Sequence, residues 1–105
     1  MLDKNLIKQI CQKGAVYWSR HLFKRMVNRD IKESDIVLAL EEGEIIEQYI
    51  DDYTYPSCLI LCFLPNGKPI HVACSLRHDT LNLTTAYYPD NEIWLTDYKT
   101  RRMQR

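Results

Sequence analysis

Cys58-Leu59-Ile60-Leu61-Cys62-Phe63-Leu64, followed by Pro65-Asn66-Gly67-Lys68 and then Pro69-Ile70-His71-Val72-Ala73-Cys74-Ser75-Leu76, is the stretch on which the fold turns. An unbroken apolar run bounded by turn residues reads as a central strand covered on both faces. Asn66-Gly67 favours the positive backbone angles of a tight hairpin, so the two runs should pair antiparallel. Downstream, Arg77-His78-Asp79 is a second turn and Leu81 to Tyr87 a further strand. Upstream, Glu44 to Ile50 alternates in part and reads as a strand entering a turn-rich stretch, Asp51 to Pro56. Ile93 to Tyr98 is expected to add an edge strand or a closing helical turn.

The first half of the chain reads differently. Leu2, Leu6, Ile7, Ile10 and Cys11 have the spacing of an amphipathic helix, with Asp3 as its cap and Gly14 as its stop. Ala15 to Trp18 fits a short strand or a turn. From Ser19 or Arg20 the period returns in Leu22, Phe23, Met26 and Val27. Ser34 is a good cap for a third helix, Asp35 to Glu42, which Gly43 would end. Helices first and hairpin-linked strands after them make an α+β domain spanning 1–105, with N-terminal helices packed on a mostly antiparallel four-stranded sheet. Polar side chains that interrupt the strands then belong to the face opposite the helices or to the groove along one edge.

Composition limits what such a domain does. At 105 residues, 46% hydrophobic and 27% charged, the chain holds one core and is not disordered. Its formal net charge of zero argues against a general nucleic-acid binder but leaves room for a local basic patch. Lys99, Arg101, Arg102 and Arg105 form one at the C-terminal end, while acids crowd between Asp30 and Asp52. No apolar run approaches the roughly 20 residues of a membrane span, and Met1-Leu2-Asp3-Lys4 does not begin a secretory signal, so a cytoplasmic location is expected. Cys11, Cys58, Cys62 and Cys74 form no C-x-x-C pair and sit among apolar neighbours, which suits reduced core thiols.

Three features could carry chemistry. His71 interrupts an apolar strand, and alternation aims it away from Ile70, Val72 and Cys74, beside the small Ala73 and Ser75. Its plain reading is a core histidine satisfied by its neighbours. Thr85 and Tyr87 lie on the next strand, but parity groups them with Leu81 and Leu83, so only a bulge or the strand end could bring them beside His71. His21, Arg25 and Arg29 recur every fourth residue and share one helix face, which in its plain reading is a solvated stripe. Imidazoles, a phenol and guanidinium groups are together what RNA cleavage without a metal requires: a base, an acid and cations around a phosphate.

Taken as a set, His21-x-x-x-Arg25-x-x-x-Arg29, Ala39-Leu40-x-x-Gly43-Glu44-Ile45-Ile46-Glu47-x-Tyr49, Tyr55-Pro56-Ser57-Cys58-Leu59-Ile60-Leu61, Pro69-Ile70-His71-Val72 and Thr85-Ala86-Tyr87-x-Pro89-Asp90 resemble a bacterial domain-of-unknown-function family, number 4258. That family is similar to the RelE, BrnT and MqsR toxins of type II toxin-antitoxin systems. The resemblance implies a RelE-like ribonuclease fold, of the barnase, EndoU, colicin and RelE type, and an mRNA endoribonuclease that needs no cofactor and no metal. In such toxins the ribose 2′-hydroxyl attacks the adjacent phosphorus. It implies His21, Arg25, His71 and Tyr87 as catalytic residues, with His71 as general acid or base, Tyr87 orienting the 2′-hydroxyl or sharing the acid-base work, and Arg25, with Arg29 or His21, stabilising the phosphate. Arg29, Thr85, Arg101, Arg102 and Arg105 would hold RNA. The implied partners are mRNA and a cognate antitoxin, for which a small zinc-finger protein similar to the MqsA or YgiT type is the model, with the ribosome as a further candidate.

Two other classes compete. One is a noncatalytic protein-interaction module on a degenerate ribonuclease scaffold, presenting Tyr53, Tyr55, Tyr87, Tyr88 and Trp94 to a partner. The other is a metalloenzyme using His21, His71 and His78, whose separation in the sequence does not favour it.

Overall fold

The computed structural model of the chain describes residues 2–49 and 55–103. Asp3 caps helix α1 (Lys4–Gln12) through the Leu6 N–H, and Ser19 caps α2 (Arg20–Arg29) through the Leu22 N–H. Between them Val16–Trp18 forms the short strand β1. Helix α3 (Glu33–Glu42) begins earlier than expected, with Lys32 at the cap position and Ser34 inside the first turn. Asp35 replaces a capping hydroxyl: its carboxylate accepts the Lys32 N–H at 2.9 Å and lies at the positive end of the helix dipole. Crowding fixes the other end. A Cβ on Gly43 would overlap the Ala39 carbonyl oxygen and the Ile60 Cγ2, so only glycine lets the chain leave α3 this close to the sheet.

Four strands follow: β2 (Glu44–Tyr49), β3 (Ser57–Phe63), β4 (Pro69–Arg77) and β5 (Thr80–Tyr87). The sheet order is β1-β5-β4-β3-β2. The sheet therefore has five strands and not four, because β1 joins the meander in parallel with β5, Val16 opposite Leu81 and Trp18 opposite Leu83. A three-residue strand is too short to declare a period of two, so Ala15 to Trp18 reads equally well as a turn. In the β3–β4 hairpin Gly67 takes a φ of +86°, and its N–H bonds the Leu64 carbonyl across Pro65-Asn66. Asn66 keeps a negative φ, so the turn is longer than the two-residue form that Asn-Gly favours.

All three helices cover one face. Ile7 and Ile10 of α1, Leu22 and Met26 of α2, and Ile36, Ala39 and Leu40 of α3 form a core with Ile60, Ile70, Val72, Leu81, Leu83 and Ala86 of the sheet. Cys58 and Cys74 stand opposite one another in that layer, their sulfurs 3.5 Å apart as free thiols. Lys4 pins α1 to α3 by donating to the Leu40 carbonyl at 2.8 Å.

Two bulges decide what reaches the other face. Ala73 pairs with Thr85 but Cys74 pairs with Leu83, which leaves Thr84 as an extra residue in β5. Leu81 and Leu83 therefore enter the helix-side core while Thr85 and Tyr87 emerge on the outer side, Tyr87 directly opposite His71. In β2 the register slips in the same way between Ile45 and Glu47, so that Glu47 stands opposite Leu59.

The segment after β5 folds back over this outer face. It is neither an edge strand nor a helix: Ile93 to Tyr98 makes turns, and one antiparallel bridge joins Trp94 to Arg101. Trp94 is 2% exposed. Under this strap Leu59 and Leu61 are buried, which explains why β3 is apolar on both sides.

Candidate functional site

Beneath the strap His71 has no exposed surface. Its ring meets the Trp94 ring edge to face at 4.6 Å and the Tyr87 ring at 5.2 Å. Nε2 lies 2.7 Å from the Tyr98 carbonyl oxygen, an acceptor only, so Nε2 carries the proton. Nδ1 of the neutral ring is then the acceptor for the Tyr87 hydroxyl at 3.2 Å. Burial lowers the imidazole pKa below its ordinary 6.5, opposed by the Tyr98 carbonyl and the nearby Glu47 carboxylate. Burial likewise raises the Tyr87 phenol above 10.0. The resting pair is a neutral phenol donating to a neutral imidazole of fixed tautomer.

Tyr87 also faces solvent. It lines an open pocket of about 380 Å³ with Arg29, Tyr88, Asp90, Trp94 and Arg101. Arg29 reaches it from the end of α2 and donates to the Ala86 carbonyl at 2.8 Å, at a part of β5 beyond the residues that β1 pairs. Four guanidinium N–H groups lie outside that bond. Arg101 stacks on Trp94 at 4.5 Å and forks onto Glu47, with bonds of 2.8 and 3.0 Å. That fork holds Glu47 below the usual carboxylate range and keeps Arg101 firmly protonated. Tyr49 donates to the same carboxylate, and burial followed by Glu47 pushes its phenol up.

The expected site residues divide into two groups. His71, Tyr87, Arg29 and Arg101 come together, and Thr85 is two positions along β5 from Tyr87 on the same face. His21 and Arg25 do not join them. Arg25 Nε donates to His21 Nε2 at 3.4 Å on an exposed part of α2, and His21 lines a different depression. At 1.5 Å per residue the stripe from His21 to Arg29 is about 12 Å long, too far for both ends to reach one phosphate, whereas Arg25, only about 6 Å from Arg29, is turned the other way by its hydrogen bond to His21. Arg102 is held locally, donating to the Asn91 carbonyl at 2.6 Å. Arg105 and Tyr53 lie outside the described residues. Among the described residues no three His, Cys, Asp or Glu side chains are grouped to hold a metal ion, and no helix is long and apolar enough to cross a membrane.

Glu47 was not among the expected site residues, nor was Tyr98, whose carbonyl sets the histidine tautomer. The spacing Glu47-x-Tyr49 carried a signal for the first, since both project to one face of a strand. Tyr98 could not be found this way, because a backbone carbonyl contributes nothing to a side-chain pattern.

Comparison with known proteins adds one result. Neither the curated proteins nor the solved structures give a match to this chain. A family model does, over residues 18–88, from Trp18 ahead of α2 through the end of β5 and stopping short of the strap. That match covers more than half of the chain, which belongs to the family described as Domain of unknown function (DUF4258).

Proposed function

We propose that this chain is a metal-independent endoribonuclease that cleaves mRNA as the toxin of a type II toxin-antitoxin pair, on a RelE-like fold. The observation that carries the reading is the Tyr87 hydroxyl, backed by a buried histidine of fixed tautomer and flanked in one open pocket by Arg29 and Arg101. A ribose 2′-hydroxyl placed on Tyr87 passes its proton to the phenol oxygen as the phenol passes its own to His71 Nδ1. The 2′-oxygen bonds to phosphorus, the bond from phosphorus to the 5′-oxygen breaks, and the leaving oxygen takes a proton from water, whose hydroxide is neutralised when His71 returns its proton through Tyr87. The products are a 2′,3′-cyclic phosphate and a 5′-hydroxyl. His71 becomes an imidazolium that donates at both nitrogens, with Glu47 nearby to favour its charge. The two arginines face the charge that develops on the phosphate. Tyr87 is thus the residue that touches substrate and His71 a positioning and proton-holding residue behind it.

Helices on one side of an antiparallel meander support the RelE-like assignment at the level of architecture. An antitoxin that neutralises such an enzyme would cover the Tyr87 pocket, and a small zinc-finger protein of the MqsA or YgiT type is the candidate. The ribosome remains a candidate for presenting the mRNA. The competing reading, a noncatalytic interaction module, draws on one observation: Arg29 and Arg101 already have internal partners.

Expression under a tight promoter separates the two. Growth arrest with mRNA fragments ending in cyclic phosphate is expected from the native chain, and Tyr87→Phe, which removes one oxygen, should cut the cleavage rate by about 10²–10⁴-fold while the protein stays folded. Intact mRNA at high levels of folded native protein would reject the ribonuclease and leave the interaction module.

A further inference from the structure

The strap covers the outer face only in part. From Tyr87 back along β5 come Thr85 and Asn82, and across from them on β4 stand Ala73 and Ser75, all partly open. At that far end Tyr17, His21, Tyr55, Ser75, Arg77 and Asn82 line an open depression of about 490 Å³. Among the described residues no carboxylate lines it. Tyr17, on edge strand β1 opposite Asn82, is 56% exposed, and Arg77 stacks its guanidinium on the Tyr55 ring at 4.7 Å. Aromatic faces, a stacked guanidinium and a side-chain amide are what bases and phosphates of an unpaired strand bind. At about 3.3 Å per residue, Asn82 lies roughly 16 Å from Tyr87 along β5, the reach of a few extended nucleotides.

We propose that this depression is a second subsite, which holds nucleotides of single-stranded RNA flanking the bond cleaved at Tyr87. The proposal rests on the ribonuclease reading of the Tyr87 pocket. A base stacks on Tyr17, Arg77 contacts a phosphate, and the His21–Arg25 pair, which the Tyr87 pocket leaves out, supplies positive potential at the rim. The small side chains of Ala73 and Thr85 keep the path between the two ends clear.

The test compares an unstructured RNA octamer with a trinucleotide, for the native chain and for Tyr17→Ala and Arg77→Ala. Tyr17 and Arg77 are exposed, so both variants should retain the native circular dichroism spectrum. Affinity is read by fluorescence anisotropy in the Tyr87→Phe background, and cleavage in the native background. The expected result is about a tenfold loss of octamer affinity and of octamer kcat/KM for each variant, with trinucleotide cleavage unchanged. Equal losses on both RNAs, or none on either, would overturn the subsite while cleavage by the native chain upholds the ribonuclease. Octamer binding that depends on Tyr17 and Arg77 without any cleavage would uphold the subsite and reject the ribonuclease. No octamer binding by any form would overturn the subsite and leave this face to a protein partner.

Discussion

At the scale of single residues, the histidine that breaks an apolar strand fills the plain role of a satisfied core imidazole while its geometry also suits the role proposed for it. Both ring nitrogens are satisfied, as a buried imidazole requires, and one of the two partners is the phenol that faces the pocket. This arrangement makes stability depend on pH in a defined direction. Burial lowers the folded-state pKa of His71, so the unfolded chain takes up a proton near pH 6.5 while the folded chain resists it. The contribution is complete above 6.5 and is lost as pH falls from there to the folded-state value. Glu47, whose folded-state pKa is also lowered, has a dependence of the same sign, being stabilising above its ordinary 4.5 and losing that effect as pH drops further, so the two windows differ in position and not in direction. Thermal unfolding between pH 7 and 5 should therefore show a falling Tm in the native chain and a flatter profile in His71→Gln. Parallel profiles would mean that His71 titrates alike in both states.

At the scale of elements, one glycine joins α3 to β2 without any need for a positive φ. Gly43 sits at φ −70°, in reach of every residue, and is required by proximity alone. Alanine there would press on the Ala39 carbonyl and on Ile60, both fixed in the core. Gly43→Ala should cost about 3 kcal/mol in urea unfolding, within the range of overpacked sites, whereas the same change at the open hairpin position Gly67 should cost less and only through its φ. An equal cost at both positions would remove crowding as the cause. Elements of this kind show how far the sequence could be read. The helices α1 and α2 and the β3–β4 hairpin announce themselves through caps, period and turn residues. The extra residue at Thr84 does not, since a bulge leaves no local pattern, and parity shows only that Tyr87 needs either a bulge or a place at the strand end in order to meet His71. His21 illustrates the converse: a shared helix face groups residues in angle but not along the axis, and two turns of that axis separate it from Arg29.

At the scale of the whole molecule, the second face of the sheet is closed by a segment with no regular structure, and the site exists because of that closure. The basic C-terminal residues read in the sequence as a grip for RNA, but Arg101 forks onto Glu47 and Lys99 pairs with Glu44 at 3.1 Å, so their charges also fasten the strap to β2. Those pairs are partly exposed and contribute modestly. The larger contribution is Trp94, buried against His71 and under the Arg101 guanidinium. Trp94→Ala should lower stability by about 3–5 kcal/mol, a large share of what a small domain has. It should also admit water to His71, and the imidazole pKa, read by NMR, should rise toward its ordinary 6.5. Trp94→Phe keeps the ring and should show both effects weakly, while Met103→Ala, at a residue 96% exposed, should show neither. A His71 titration unchanged in Trp94→Ala would mean that the strap does not seal the outer face, and the neutral, fixed tautomer on which the proposed proton transfer from Tyr87 depends would lose its structural cause.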